Sequence, residues 1–394
     1  MRQTRSAVPF RMIGGLAVAA VVLSGCSSND TDDGSAAPQP GDLLSVAPLT
    51  NAAALPSAAR NELVTYASEN GDGRPIVVSG TIAIPNGTPP EGGWPVVSWG
   101  HGTTGIADTC APSGDTVDGA AHDYVSRTAP SLDRWLQAGY AVVRTDYEGM
   151  GTPGDHTYLN AQSEVNAMTD LVLAARHLDD SVGDKWIAVG HSQGGAATVS
   201  ASDLGTKRAP ELELVGAVAL APGSGLSQTP QYIRGGNQAV APILAFLPIT
   251  LLGAAAADPA VVPDEIVTPA AEPLLRAART GCMADVRAAI GDIQVNSVIR
   301  PDADLGPWTD YLEKQEPENA TPAVPLLVLQ GTADTLVAPA QTDGLVKTLC
   351  GKGSPVQYKK YEGADHRAVM DASFDDAEAF ASAVLAGDEV QPSC

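Results

Sequence analysis

The stretch Gly190-His191-Ser192-Gln193-Gly194 has the form G-x-S-x-G, a serine with a glycine two residues away on each side. A serine hydroxyl is a poor nucleophile at neutral pH and needs a base, and the base needs a carboxylate to hold its tautomer. Six histidines are present. His366, in Glu-Gly-Ala-Asp-His, follows the last strand-like run, so its loop emerges at the sheet edge from which Ser192 also projects. His191 adjoins the serine and is expected to point away from it. His177 lies late in a helix, where a cation suits the dipole. His122 and His156 read as loop residues. Asp334, in Gly-Thr-Ala-Asp, stands just past another strand and between Ser192 and His366 in chain order. Asp365 is a local rival, but a residue rarely reaches its neighbour's ring in the required geometry. The chemistry expected of such a set is acyl transfer: Ser192 attacks a carbonyl carbon, His366 moves the proton and Asp334 orients His366. The tetrahedral oxyanion needs fixed donors. The backbone N–H of Gln193 is one. The loop His101-Gly102-Thr103-Thr104-Gly105 offers the second from the Thr103 backbone, with the Thr103 hydroxyl as a helper.

Those residues act together only if a strand ends at Gly190 and a helix opens at Gln193, a turn that forces the serine backbone into strain and leaves its hydroxyl exposed. The apolar pattern agrees. Two antiparallel strands are expected near 62–69 and 74–84 around an Asn-Gly-Asp-Gly turn. Strands are expected at 94–100, 140–146, 185–190, 212–223, 323–331 and 356–363, and helices at 131–139, 161–178, 193–205 and 375–387. Alternation of this kind implies an α/β fold, a mostly parallel sheet with helices on both faces. The interval 223–321 breaks the rhythm and is too long for an ordinary connection. It holds the apolar run Val240–Ala257, interrupted by Pro242 and Pro248, which reads as part of a helical insertion packed over the sheet edge rather than a membrane span.

The chain has 394 residues and a net charge of −23, which argues against nucleic acid and against an anionic membrane surface as partners. Arg2, Arg5 and Arg11 precede the short apolar run Met12–Leu23, and Leu-Ser-Gly-Cys26 follows. This is the pattern of a bacterial lipoprotein signal, residues 1–25, with Cys26 lipidated after cleavage. Residues 26–44 read as a flexible tether and 45–394 as one domain with an insertion at about 224–321. An exported chain meets an oxidising compartment, so Cys110, Cys282, Cys350 and Cys394 are expected to form two disulfides, and spacing alone leaves three pairings open. No cysteine lies in a zinc-like cluster, and no metal or organic cofactor is implied.

Four features together, His-Gly-Thr-Thr-Gly, Gly-His-Ser-Gln-Gly-Gly, the Gly-Thr-Ala-Asp and Gly-Ala-Asp-His pair, and Thr145-Asp-Tyr-Glu-Gly149, resemble the secretory lipase family of α/β-hydrolases, which includes Candida-type lipase A and actinobacterial relatives. The resemblance covers roughly 45–394. It implies Ser192, Asp334 and His366 as triad and 223–321 as a cap. It also implies that Cys110 pairs with Cys282 and Cys350 with Cys394. Tyr147 and Glu148 would shape the floor of the site. The fungal oxyanion loop reads differently, so Thr103 rests on the wider hydrolase pattern. The expectation is a lipase or esterase that works through an acyl-enzyme on a small-molecule or lipid ester, acts as a monomer, and is held outside the cytoplasmic membrane by the lipid on Cys26. A peptidase or amidase on the same fold, and a ligand-binding lipoprotein without catalysis, are the rival readings.

Overall fold

A computed structural model describes residues 37–394. The expected signal segment 1–25 and Cys26 lie outside the described residues. Strand β1 (Leu43–Pro48) begins inside the stretch expected as tether. It is followed by β2 (Ala58–Glu69), β3 (Pro75–Pro85), β4 (Trp94–Gly100), α1 (His122–Gln137), β5 (Ala141–Thr145), α2 (Ala161–Leu178), β6 (Val182–His191), α3 (Gln193–Arg208) and β7 (Glu213–Leu220). Helices α4 (Thr229–Arg234), α5 (Phe246–Ala257), α6 (Pro263–Ile266), α7 (Glu272–Thr280), α8 (Met283–Ile290) and α9 (Gly306–Gln315) build the insertion. The chain then completes the sheet with β8 (Leu326–Gly331), α10 (Pro339–Gly351), β9 (Val356–Tyr361), α11 (Ala368–Ala372) and α12 (Phe374–Ala386).

The sheet order is β1-β2-β3-β5-β4-β6-β7-β8-β9. Strands β1 to β3 are antiparallel, β3 meets β5 antiparallel, and all pairs from β5 onward are parallel. Successive residues of the central strands serve opposite faces, as a pleat demands. Val96, Ala188 and Val328 enter the core under α2, α3 and α10, while Val97, Ile187 and Leu329 enter the core under α1, α11 and α12. The chain leaves β4 toward β5 on one side and β6 lies on the other. The loops after β4 and β6 therefore part at a switch point, where a crevice opens at the carboxyl ends of the strands.

Several elements of the sheet domain differ from the sequence reading, which had no α11 either. Helix α1 starts at His122 and runs through Pro130, so His122 is helical rather than in a loop, its Nδ1 2.7 Å from Asp115 Oδ2. One proline removes a single helical donor, and the buried face of Tyr124, Val125, Leu132 and Trp135 outweighs it. Helix α10, whose apolar stripe is only Leu345, Val346 and Leu349, is too weakly patterned to show in the sequence. Strand β1 is mostly exposed and carries no inward-facing pattern beyond Leu43.

The run Val240–Ala257 divides into a 3-10 stretch, Gln238–Ala245, and α5. Among the described residues no helix is long and apolar enough to cross a membrane. Helix α5 is apolar all round because it is covered on two sides. Leu247 and Leu251 join the insertion's own core with Trp308, and Ile249 joins Tyr158, Leu159 and Ala196 of the sheet domain. At Gly253 an added Cβ would lie 2.6 Å from that of Tyr158, so the two backbones touch there. The insertion thus sits over the carboxyl ends of the central strands. Its entry loop is tied to its exit: Glu316 accepts the N–H groups of Gly225 and Ser227, each at 2.8 Å.

Cys110 is bonded to Cys282 and Cys350 to Cys394, the pairs the family resemblance implies. The first joins the loop after β4 to the start of α8, across 172 positions of sequence. Met283 N–H also donates to the Thr104 carbonyl at 2.8 Å. Closing so long a loop restricts the unfolded chain strongly. We expect the double variant Cys110→Ser, Cys282→Ser to lose about 2–5 kcal/mol in urea unfolding. Limited proteolysis should then cut first within 223–321.

Candidate active site

Ser192 has φ +59° and ψ −115°, a conformation L-residues avoid. It is held there by neighbours on both sides. Its N–H donates to the Leu220 carbonyl at 2.9 Å, and its own carbonyl accepts from Gly223 and Ala196, each at 3.0 Å. The turn is tight enough that a Cβ on Gly190 would come 2.1 Å from the Gly194 carbonyl oxygen, and one on Gly194 would come 1.9 Å from that of Gly100. The glycines of the motif are there because β6, α3 and the end of β4 pass at backbone contact.

The turn presents the Ser192 hydroxyl to His366, whose Nε2 is 2.9 Å away. His366 Nδ1 lies 2.7 Å from Asp334 Oδ2. Asp334 Oδ1 accepts from Leu336 and Val337 N–H at 2.8 and 2.9 Å. Burial pushes the Asp334 carboxyl up. The hydrogen bond and charge of His366 and these two N–H groups outweigh it and hold the carboxyl below its usual range. The structure therefore brings Ser192, Asp334 and His366 into one hydrogen-bonded chain. Asp365 takes no part, since its Oδ1 accepts from Arg367 and Ala368 N–H and caps the following turn.

Gln193 opens α3, so its N–H is among those a helix leaves without an internal acceptor. The facing loop is fixed at His101, whose carbonyl accepts from Gly194 N–H and from the Tyr147 hydroxyl, both at 3.0 Å. The Thr103 hydroxyl is engaged with the Tyr158 hydroxyl at 2.7 Å, which fastens this loop to the cavity wall. Neither Tyr147 nor Glu148, expected to shape the floor of the site, lines the cavity beside Ser192. Tyr147 is fully buried beneath the loop. One Glu148 carboxylate oxygen accepts from Thr157 and Ser163 hydroxyls at 2.8 and 2.6 Å, tying the loop before α2 to that helix.

Two residues that the sequence reading set aside are central. His191 does point away from Ser192, and its Nε2 donates to the carbonyl of His366 at 2.7 Å. Burial, then the neighbouring His366, pulls its pKa down to about 3, so it is neutral and its Nδ1 is free to accept. That acceptor faces the Tyr124 hydroxyl at 3.1 Å, and the same hydroxyl accepts Gly102 N–H at 2.6 Å. One chain of bonds thus links the Gly102 loop, through α1 and the end of β6, to the backbone of His366. His156 is likewise buried and neutral, its pKa pulled down to about 4 by burial. The sole sequence signal for His191 was its place inside the G-x-S-x-G motif.

The Ser192 hydroxyl opens into a cavity of about 260 Å³ whose walls include Leu159, Leu226, Ile243, Phe246, Leu336 and Val337. Tyr232 and Leu336, 50% and 46% exposed, stand at its rim and leave a route to solvent. Among the described residues no group of three or more His, Cys, Asp or Glu is placed to hold a metal ion. The arrangement can deliver a deprotonated serine oxygen to a carbonyl carbon inside a largely apolar chamber.

A family model described as secretory lipase matches residues 126–388. Lipase A of Moesziomyces aphidis is 25% identical over 278 residues, which is 65% of this chain and 58% of that protein. Candida antarctica lipase A superposes with a TM-score of 0.77 at 20% identity, covering 90% of this chain and 84% of that one. A rice cell wall degrading esterase of Xanthomonas oryzae gives 0.70 at 20% identity, with 89% and 100% covered. At such identities the solved structures speak to the fold, which is that of an α/β-hydrolase.

The link through His191 is testable without a substrate. Replacing His191 by Leu removes the donor to the His366 carbonyl, and the rate at which a fluorophosphonate labels Ser192 should fall between about 10- and 100-fold. His191→Gln keeps a donor at the Nε2 position and should recover most of that rate.

Proposed function

The chain belongs to the secretory lipase family, and from that premise we propose that it is a serine carboxylic ester hydrolase of lipase or esterase type. The observation that carries this reading is the chain of hydrogen bonds from Asp334 through His366 to Ser192 at the wall of an apolar chamber. In the proposed reaction Ser192 Oγ attacks the ester carbonyl while His366 Nε2 takes its proton. Asp334 stabilises the imidazolium that results. The Gln193 and Thr103 N–H groups hold the oxyanion. His366 returns the proton to the leaving alcohol, and water, activated by the same imidazole, releases the acid from the acyl-enzyme.

The chamber suits the acyl chain. Its volume, about 260 Å³, falls below the ~300–1,000 Å³ of sites for drug-sized ligands, which favours short and medium acyl chains over long ones. The net charge of −23 favours neutral esters over anionic ones. Export and anchoring belong to the same proposal. The arginine-flanked apolar run ending in Cys26 supports a lipid anchor, and the two disulfides support an oxidising compartment.

Hydrolysis of p-nitrophenyl esters from acetate to palmitate tests the reaction. Turnover should peak at short to medium acyl length and fall by about 10,000-fold or more in Ser192→Ala. Asp334→Asn should cost about 10,000-fold in kcat with the fold intact. No ester turnover by the folded chain, or turnover of a matching anilide alone, would remove the ester reading. Fatty-acid labelling of the full chain in a lipoprotein-processing bacterium tests the anchor: label should enter the native chain and be missing from Cys26→Ser.

A further inference from the structure

Behind Gln193 lies a carboxyl group that the proposed reaction does not use. Glu164 of α2 is 3% exposed. Its Oε1 accepts from Gln193 Nε2 at 2.7 Å and from Leu159 N–H at 3.2 Å. The other acceptor for the Gln193 amide is His156 Nε2 at 3.2 Å, left free because His156 Nδ1 donates to the Glu148 carbonyl at 2.8 Å. The Gln193 Oε1 has no partner among the described residues. The side chain of this residue is therefore anchored only through its nitrogen, and Glu164 is the nearer of its two anchors. Leu159 and Gln193 both line the chamber beside Ser192.

We propose that Glu164 is a proton-sensitive positioning residue that acts through Gln193 on the oxyanion hole. This rests on the ester-hydrolase reading for its effect on turnover. Burial pushes the Glu164 carboxyl up to about 8, with the Gln193 and Leu159 bonds pulling the other way. Among the described residues no cation acts on it. Tyr147 and Tyr158 face it from the loops before α2, Tyr311 faces it from α9, His156 is neutral, and Glu148 is a second acid nearby. At neutral pH Glu164 is a carboxylic acid that accepts from the Gln193 amide without carrying charge. Once it ionises, a buried negative charge stands beside the residue whose N–H must stabilise a developing oxyanion. The step is a proton lost to solvent and nothing else. The folded chain holds this proton up to about 8, so the share of molecules in the acid form, and the help it gives the oxyanion position, declines as pH rises through that value.

The test is the pH profile of kcat and KM on either side of pH 8 for the full chain, for Glu164→Gln and for Glu164→Ala, together with the NMR shift of the Gln193 side-chain amide over the same titration. In the native chain kcat should fall on the alkaline side with KM unchanged, and the Gln193 amide should shift with the same midpoint. Glu164→Gln, a neutral isostere, should lose both the alkaline decline and the shift. Glu164→Ala should lower kcat about tenfold at every pH, less than the ~10²–10³ of deleting an oxyanion donor, and Glu164→Gln should recover it. Equal alkaline limbs in the native chain and Glu164→Gln would overturn the proposal. If the native chain hydrolyses no ester, the functional reading fails by itself. The amide then decides: a shift lost in Glu164→Gln retains the coupling of Glu164 to Gln193, and no shift removes it.

Discussion

Ser192 occupies a backbone conformation that costs on the order of 1–3 kcal/mol for a residue with a side chain, and the architecture is arranged to hold it there. The hold is made by contact between backbones. Strand β4, strand β6 and helix α3 meet at Gly100, Gly190 and Gly194, where no Cβ fits. The Ser192 N–H and carbonyl are bonded to β7 and to the residue where the insertion begins. Once the turn is fixed, the direction of the hydroxyl is fixed, and the loops after β8 and β9 need only place Asp334 and His366 along that line. The same crowding sets the Gly102 loop, because Gly194 N–H is bonded to the His101 carbonyl.

Around this turn the protein sorts its ionisable groups by environment. His101, His156 and His191 are buried and kept neutral, and Glu164 is held up to about 8 by burial. Asp334 is the exception, lowered despite burial because it has His366 and two backbone N–H groups to itself. The neutral histidines still work as fixed hydrogen-bonding pieces: His191 joins the His366 backbone to α1, and His156 joins Gln193 to the Glu148 loop.

The insertion supplies what the sheet cannot, an apolar wall above the serine. It has its own core around Trp308 and a second contact with Tyr158, Leu159 and Ala196 of the sheet domain. The Cys110–Cys282 bond and the Met283–Thr104 hydrogen bond fasten it to the loop after β4. The wall and the Gly102 loop are therefore one mechanical piece.

Much of this was legible in the chain because it is local. The glycine spacing around Ser192, the alternation of strands with helices, and the places of Asp334 and His366 just past strand ends are written in consecutive residues, and periodicity and turn chemistry read them directly. The interruption at 223–321 was legible as a break in rhythm. Helix α10 and strand β1 were not, since a short or half-exposed element leaves little apolar pattern. What only the tertiary structure decided is which groups distant in sequence share a dry interior. Tyr124 meets His191 across 67 positions, Gln193 meets Glu164 across 29, and Cys110 meets Cys282 across 172. The sequence by itself determined the turn that aims the Ser192 hydroxyl. The pairing of the cysteines, the roles of His191 and His156 and the protonation of Glu164 depend on packing, because a hydrogen-bond partner and a local dielectric are properties of surroundings that consecutive residues do not contain.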